Sequence, residues 1–99
     1  MKKYRHGDVI IEETQKIEGE KLNHLILAEG EISGHYHRVA VKEKEDAELY
    51  EKDGNLFLKV IVPAKVTHEE HGTIDIPTGN YIVRKQREYT PDGWMEVQD

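Results

Sequence analysis

Short runs of alternating apolar and polar residues recur along the chain, broken by Gly, Asp and Asn, and no long window carries the i, i+3, i+4, i+7 spacing of an amphipathic helix. Such a pattern predicts strands at Asp8–Glu13, Leu25–Glu31, His35–Lys42, Ala47–Glu51, Asn55–Val62, Lys65–His68, Asn80–Tyr89 and Trp94–Val97. Asp53-Gly54, between Leu49-Tyr50 and Leu56-Phe57-Leu58, is a hairpin turn signal, because Gly tolerates positive φ. Pro77-Thr78-Gly79 marks a second tight turn, and the charge run Glu43–Glu48 reads as a solvated loop in preference to a helical turn. Many strands in a small chain must hide their edges, so the expected fold is all-β: a small antiparallel β-barrel or sandwich, cupin-like or a related minimal barrel.

Length sets the scale of that fold. A chain of 99 residues is one ordinary domain, so residues 1–99 are expected to share a single core. Fourteen Lys and Arg against twenty Asp and Glu leave a formal charge of −6, which argues against a protein that coats bulk DNA or RNA. A small anionic ligand in a local basic pocket is compatible with it. Without cysteine there is no disulfide or thiolate site, so any metal must use His, Asp or Glu. No apolar run approaches the roughly 20 residues of a membrane helix and no signal-type stretch follows Met1-Lys2-Lys3, so no membrane partner and a cytoplasmic location are expected.

Chemistry concentrates in histidine. Of six imidazoles, four fall into two doublets, His35/His37 and His68/His71. Alternation puts His35, His37, Val39 and Val41 on one face of their strand, and Val66 and His68 on one face of theirs, with His71 just beyond. In the run Asn80–Tyr89, an apolar face of Tyr81 and Val83 continues into Lys85, Arg87 and Tyr89. Inward cations and imidazoles are costly unless something anionic meets them, so a polar end to an apolar face predicts a pocket, one suited to phosphate. His24, alone in a Leu-rich stretch, reads as an ordinary surface or packed residue.

Two chemistries can use these groups. His-x-His at 35–37 and the Pro-x-Gly turn at 77–79 are similar to the cupin metal pattern. The cupin glutamate, however, falls at Val41 or Lys42, with Glu43 one place late, and the closing His position is Ile82. A non-cupin site of one divalent metal on His35, His37 and His71 stays open. His68-Glu69-Glu70-His71 does not fit the helical zinc-peptidase motif, whose histidines are four apart. The metal-free route uses one neutral imidazole as base and a protonated one as acid, with cations stabilising phosphorane charge.

Arg5-His6-Gly7-Asp8, Ala28-Glu29-Gly30-Glu31, Gly34-His35-Tyr36-His37-Arg38, His68-Glu69-Glu70-His71-Gly72 and Gln86-Arg87-Glu88-Tyr89-Thr90-Pro91 together resemble a widespread, mostly uncharacterised bacterial and phage family. That family is similar in turn to small β-barrel ring nucleases, which cut the cyclic oligoadenylate messengers of CRISPR antiviral defence. The resemblance implies phosphodiester cleavage without metal or other cofactor, and a homodimer gripping a cyclic nucleotide.

The leading expectation is therefore a metal-independent phosphodiesterase, a ring-nuclease-like hydrolase or lyase acting on a small cyclic oligonucleotide. His35, His37, His68 and His71 would be catalytic. His6, Asp8, Tyr36, Arg38, Arg84, Lys85, Gln86, Arg87 and Tyr89 would bind substrate. The alternatives are a cupin-like metal-binding enzyme or sensor, and a nucleotide-binding module without chemistry.

Overall fold

The protein is described by a computed structural model covering residues 2–29, 35–69, 71–85, 87–90 and 93–96, the last two stretches by their backbone alone. Its strands are β1 (Lys3–His6), β2 (Val9–Glu13), β3 (Glu20–Lys21), β4 (Ile26–Glu29), β5 (Tyr36–Ala40), β6 (Ala47–Lys52), β7 (Asn55–Val60) and β8 (Ala64–Thr67). They continue with β9 (Ile74–Ile76), β10 (Gly79–Lys85), β11 (Arg87–Thr90) and β12 (Gly93–Glu96), and a 3₁₀ turn at Lys44–Asp46 precedes β6.

Every pairing is antiparallel. One sheet runs β1-β2-β10-β7-β6-β3, a second runs β4-β5-β8-β9, and β11 pairs with β12 by itself. The described strands thus form separate sheets, consistent with a small sandwich. The barrel expected as one form of the fold is not closed among the described residues. Alternation explains the core: Val9 and Ile11 of β2, Leu49 of β6, Leu58 and Val60 of β7 and Tyr81 and Val83 of β10 are buried in one cluster with Leu27, Val39, Ala64, Val66 and Ile76.

The Asp53-Gly54 hairpin forms between β6 and β7, with φ of 51° and 82° at the two turn residues, the left-handed pair that such turns require. Three strands escape the sequence pattern. β1 is Lys-Tyr-Arg-His, an edge strand whose charges mask its single buried position, His6. β3 is only two residues long, both exposed, and β9 is three residues long with one buried position, Ile76. The single run expected at Asn80–Tyr89 divides between β10 and β11, which belong to different sheets.

Two local features prepare the histidine site. In the β1–β2 hairpin His6 pairs with Val9, so Gly7-Asp8 forms the turn, with Gly7 at φ 63°. Arg5 Nε braces it by donating to Gly7 O at 3.0 Å. In the second sheet, a register shift between Ile26 and Ala28 bulges β4 against β5 beside His37.

Candidate metal centre

Register brings the histidine doublets together. Val39 of β5 faces Val66 of β8, and two residues along the same register His37 stands opposite His68. Their ring centroids are 4.4 Å apart. His71, after the turn that follows β8, stacks on His37 at 5.4 Å and lies 4.5 Å from His68. His35 reaches the group through His68, at 5.8 Å. From the opposite sheet, the β1–β2 hairpin inserts His6.

Burial grades across the cluster. His37 is fully enclosed, whereas His68 and His71 are half-buried on the side toward solvent. One ligating atom from each of His37, His68 and His71 lies within 4.8 Å of the other two. Ligand atoms around a tetrahedral divalent ion, with bonds of about 2.0–2.1 Å, sit roughly 3.4 Å apart. The three nitrogens thus lie little farther apart than the ligands of a bound ion, close enough for these side chains to hold one. Imidazole is a borderline donor suited to zinc, iron, nickel or copper.

This overturns the expectation of a cofactor-free, metal-independent site. It also corrects the membership of the metal alternative, because the third imidazole is His68 in place of His35. Cupin spacing would place further ligands near residues 41–43 and 82. The three imidazoles able to hold an ion come instead from β5 and the loop between β8 and β9, whose proximity depends on strand pairing.

Hydrogen bonds frame the cluster. His6 Nδ1 lies 2.9 Å from His37 Nδ1, and His6 Nε2 lies 2.6 Å from Gly72 O. Asp8, carried by the hairpin turn and itself buried, places Oδ1 3.6 Å from His37 Nε2 and Oδ2 3.7 Å from Lys85 Nζ. Lys85 thus extends the inner face of β10 to the site, and the buried carboxylate has a cation beside it.

Glu69 does different work. It accepts the Tyr36 N–H at 2.9 Å and pairs with Arg38 at 3.5 Å, clamping the loop of His68 and His71 to the start of β5. The Tyr36 amide, then Glu69's own amide, hold this exposed carboxyl below the usual range, and the Arg38 charge adds to the effect. Nothing in the residue pattern marks Glu69, since its partners are set by register.

The remaining candidates are placed apart. Arg38 and Tyr36 lie on the outer face of β5, with the guanidinium 5.6 Å from the Tyr36 ring centroid. Arg84 points outward from β10 and pairs with Glu12 at 3.4 Å. The structure does not gather these groups with the histidines. Gln86, and the side chains of Arg87 and Tyr89, lie outside the described residues. His24 is exposed and its Nδ1 accepts the Ile26 N–H at 3.1 Å. It lines a cleft of about 610 Å³ with Leu22, Leu25, Val39, Val41 and Leu49, into which none of the clustered imidazoles opens.

Fold and site define an all-β protein with a histidine cluster able to hold a divalent ion and a His/Asp network around it. Residues 5–86 match a family described as a domain of unknown function, DUF8820, and the chain belongs to that family. The match spans the first four motif blocks and carries no activity with it. Neither a curated protein nor a solved structure matches the chain. No helix among the described residues is long and apolar enough to cross a membrane.

Proposed function

We propose that this protein is a metal-dependent enzyme whose single divalent ion is held by His37, His68 and His71. The observation that carries the reading is the convergence of three imidazole nitrogens within 4.8 Å of one another. Three protein ligands leave a coordination position for water or substrate, the arrangement of catalytic sites, whereas structural sites use four protein ligands. His68 and His71 are half-buried, so the cluster can be reached from solvent on their side. A cation with an open position favours a small anionic ligand, and it lowers the pKa of a bound water, which supports hydrolytic chemistry. His35, beside His68, and Asp8, beside His37, are the remaining groups from which this site would draw proton-handling or orienting roles.

Elemental analysis of protein purified without an affinity tag tests the reading. The expected result is close to one zinc, iron or nickel per chain, lost in His37→Ala and His68→Ala proteins that remain folded. Ester and phosphodiester hydrolysis should disappear on chelation and return with the ion. A purified protein that contains no metal and takes up none on titration with Zn²⁺ would overturn the proposal.

A further inference from the structure

His6 lies outside the three-nitrogen set, yet it touches both segments that supply the set. Its Nε2 meets the carbonyl of Gly72, the residue directly after His71, and its Nδ1 meets His37. A carbonyl oxygen only accepts, so His6 Nε2 carries the proton in the 2.6 Å bond. With neutral His6, Nδ1 then has only a lone pair. The 2.9 Å contact between the two Nδ1 atoms requires the proton to sit on His37. A neutral His37 protonated at Nδ1 has its lone pair at Nε2, an atom enclosed from solvent within the cluster. With His6 neutral, the chain of donors and acceptors runs from His37 through His6 to Gly72.

We infer that His6 is the positioning residue of this centre: it fixes His37 in the Nδ1–H tautomer, so that Nε2 is the ligating atom, and anchors the His71 loop through Gly72. This rests on the reading of His37, His68 and His71 as metal ligands and adds the residue that orients them. A ligating histidine needs a partner for its other ring nitrogen, and loss of such a partner weakens metal binding by about 10–100-fold. The geometry gives that duty to an imidazole from the opposite sheet. Docking of the β1–β2 hairpin is therefore what prepares the ligand, although the hairpin supplies no atom to the three-nitrogen set. Asp8 enters with the same hairpin, on the Nε2 side of His37.

Nitrogen-15 NMR of the metal-free wild-type protein reads the His37 tautomer directly and needs no variant. The inference expects the proton on Nδ1; a proton on Nε2 would overturn it. Zn²⁺ titration of folded His6→Phe and His6→Gln proteins reads the consequence. His6→Phe keeps a ring but no hydrogen bonds, so its Kd should rise about 10–100-fold and its His37 tautomer should change. His6→Gln, whose amide retains an acceptor for His37, should recover most of the affinity. An unchanged Kd and tautomer in His6→Phe would also overturn the inference. Failure of wild-type protein to bind Zn²⁺ would instead remove the metal reading, and the tautomer measurement would still decide the role of His6.

Discussion

Tyr81 shows how a single buried side chain ties the core to pH. Its ring is almost wholly enclosed between the sheets, and its hydroxyl donates to Pro77 O at 2.6 Å. Burial, with smaller contributions from Tyr4 and Glu13, pushes its pKa up from 10.0 to about 12. The unfolded chain loses this proton near pH 10, before the folded one does. Stability is therefore intact below about pH 10 and falls as pH rises toward 12. Alkaline unfolding followed by tyrosinate absorbance should show a steep limb in that window, and Tyr81→Phe should flatten it while costing about 1 kcal/mol at neutral pH for the lost hydrogen bond. An equally steep limb in Tyr81→Phe would mean that another group carries the transition. Asp8 makes the corresponding case among the charges. Replacing this buried carboxylate by Asn removes the negative charge that faces Lys85 and His37. The expected loss of stability is about 1–3 kcal/mol, measurable by urea unfolding.

Among the elements, β3 is the smallest, and its attachment depends on one backbone position. Gly19 has φ 99°, and a Cβ built there would stand 2.1 Å from the carbonyl oxygen of Glu51. Glu51 lies on β6, the strand that β3 joins, so Gly19 is what allows the two backbones to meet. Gly19→Ala should cost about 1–3 kcal/mol of backbone strain and release the β3 segment. Hydrogen exchange at the Leu22 amide, which donates to Leu49 O at 2.7 Å, should accelerate first. The histidine cluster, built from β5, the β8–β9 loop and the β1–β2 hairpin, should keep its ring contacts in that variant.

At the scale of the molecule, the metal couples folding to function. Its ligands come from two segments distant in sequence, and the unfolded chain cannot hold them together, so an ion bound to the folded state alone adds stability that grows as the logarithm of one plus the ratio of free ion concentration to Kd. At a free Zn²⁺ concentration about 100 times Kd, the gain is about 2.7 kcal/mol. Thermal unfolding should shift upward with Zn²⁺ and return on chelation in wild-type protein, and should show neither effect in His68→Ala. An identical shift in His68→Ala would place the ion elsewhere. Loss of core volume acts independently of the metal: Leu58→Ala, at a fully buried position, should cost about 2–5 kcal/mol with or without the ion.

Alternation along the chain determined a good deal without any coordinates. Most strands, the Asp53-Gly54 hairpin and the shared face of His35, His37, Val39 and Val41 follow from a side-chain period of two and from the backbone freedom of glycine. The charged edge strand β1 and the two- and three-residue strands β3 and β9 were illegible, because too few of their positions face the core to make a pattern. Tertiary structure alone decided the site. Parity says which face a histidine takes, but only pairing between strands says which histidines meet. The register of β5 on β8 set His68 opposite His37 and excluded His35 from the three-nitrogen set. Docking of the first hairpin against the second sheet then brought His6 and Asp8 to the same point, a contact between residues about thirty apart that no local pattern encodes.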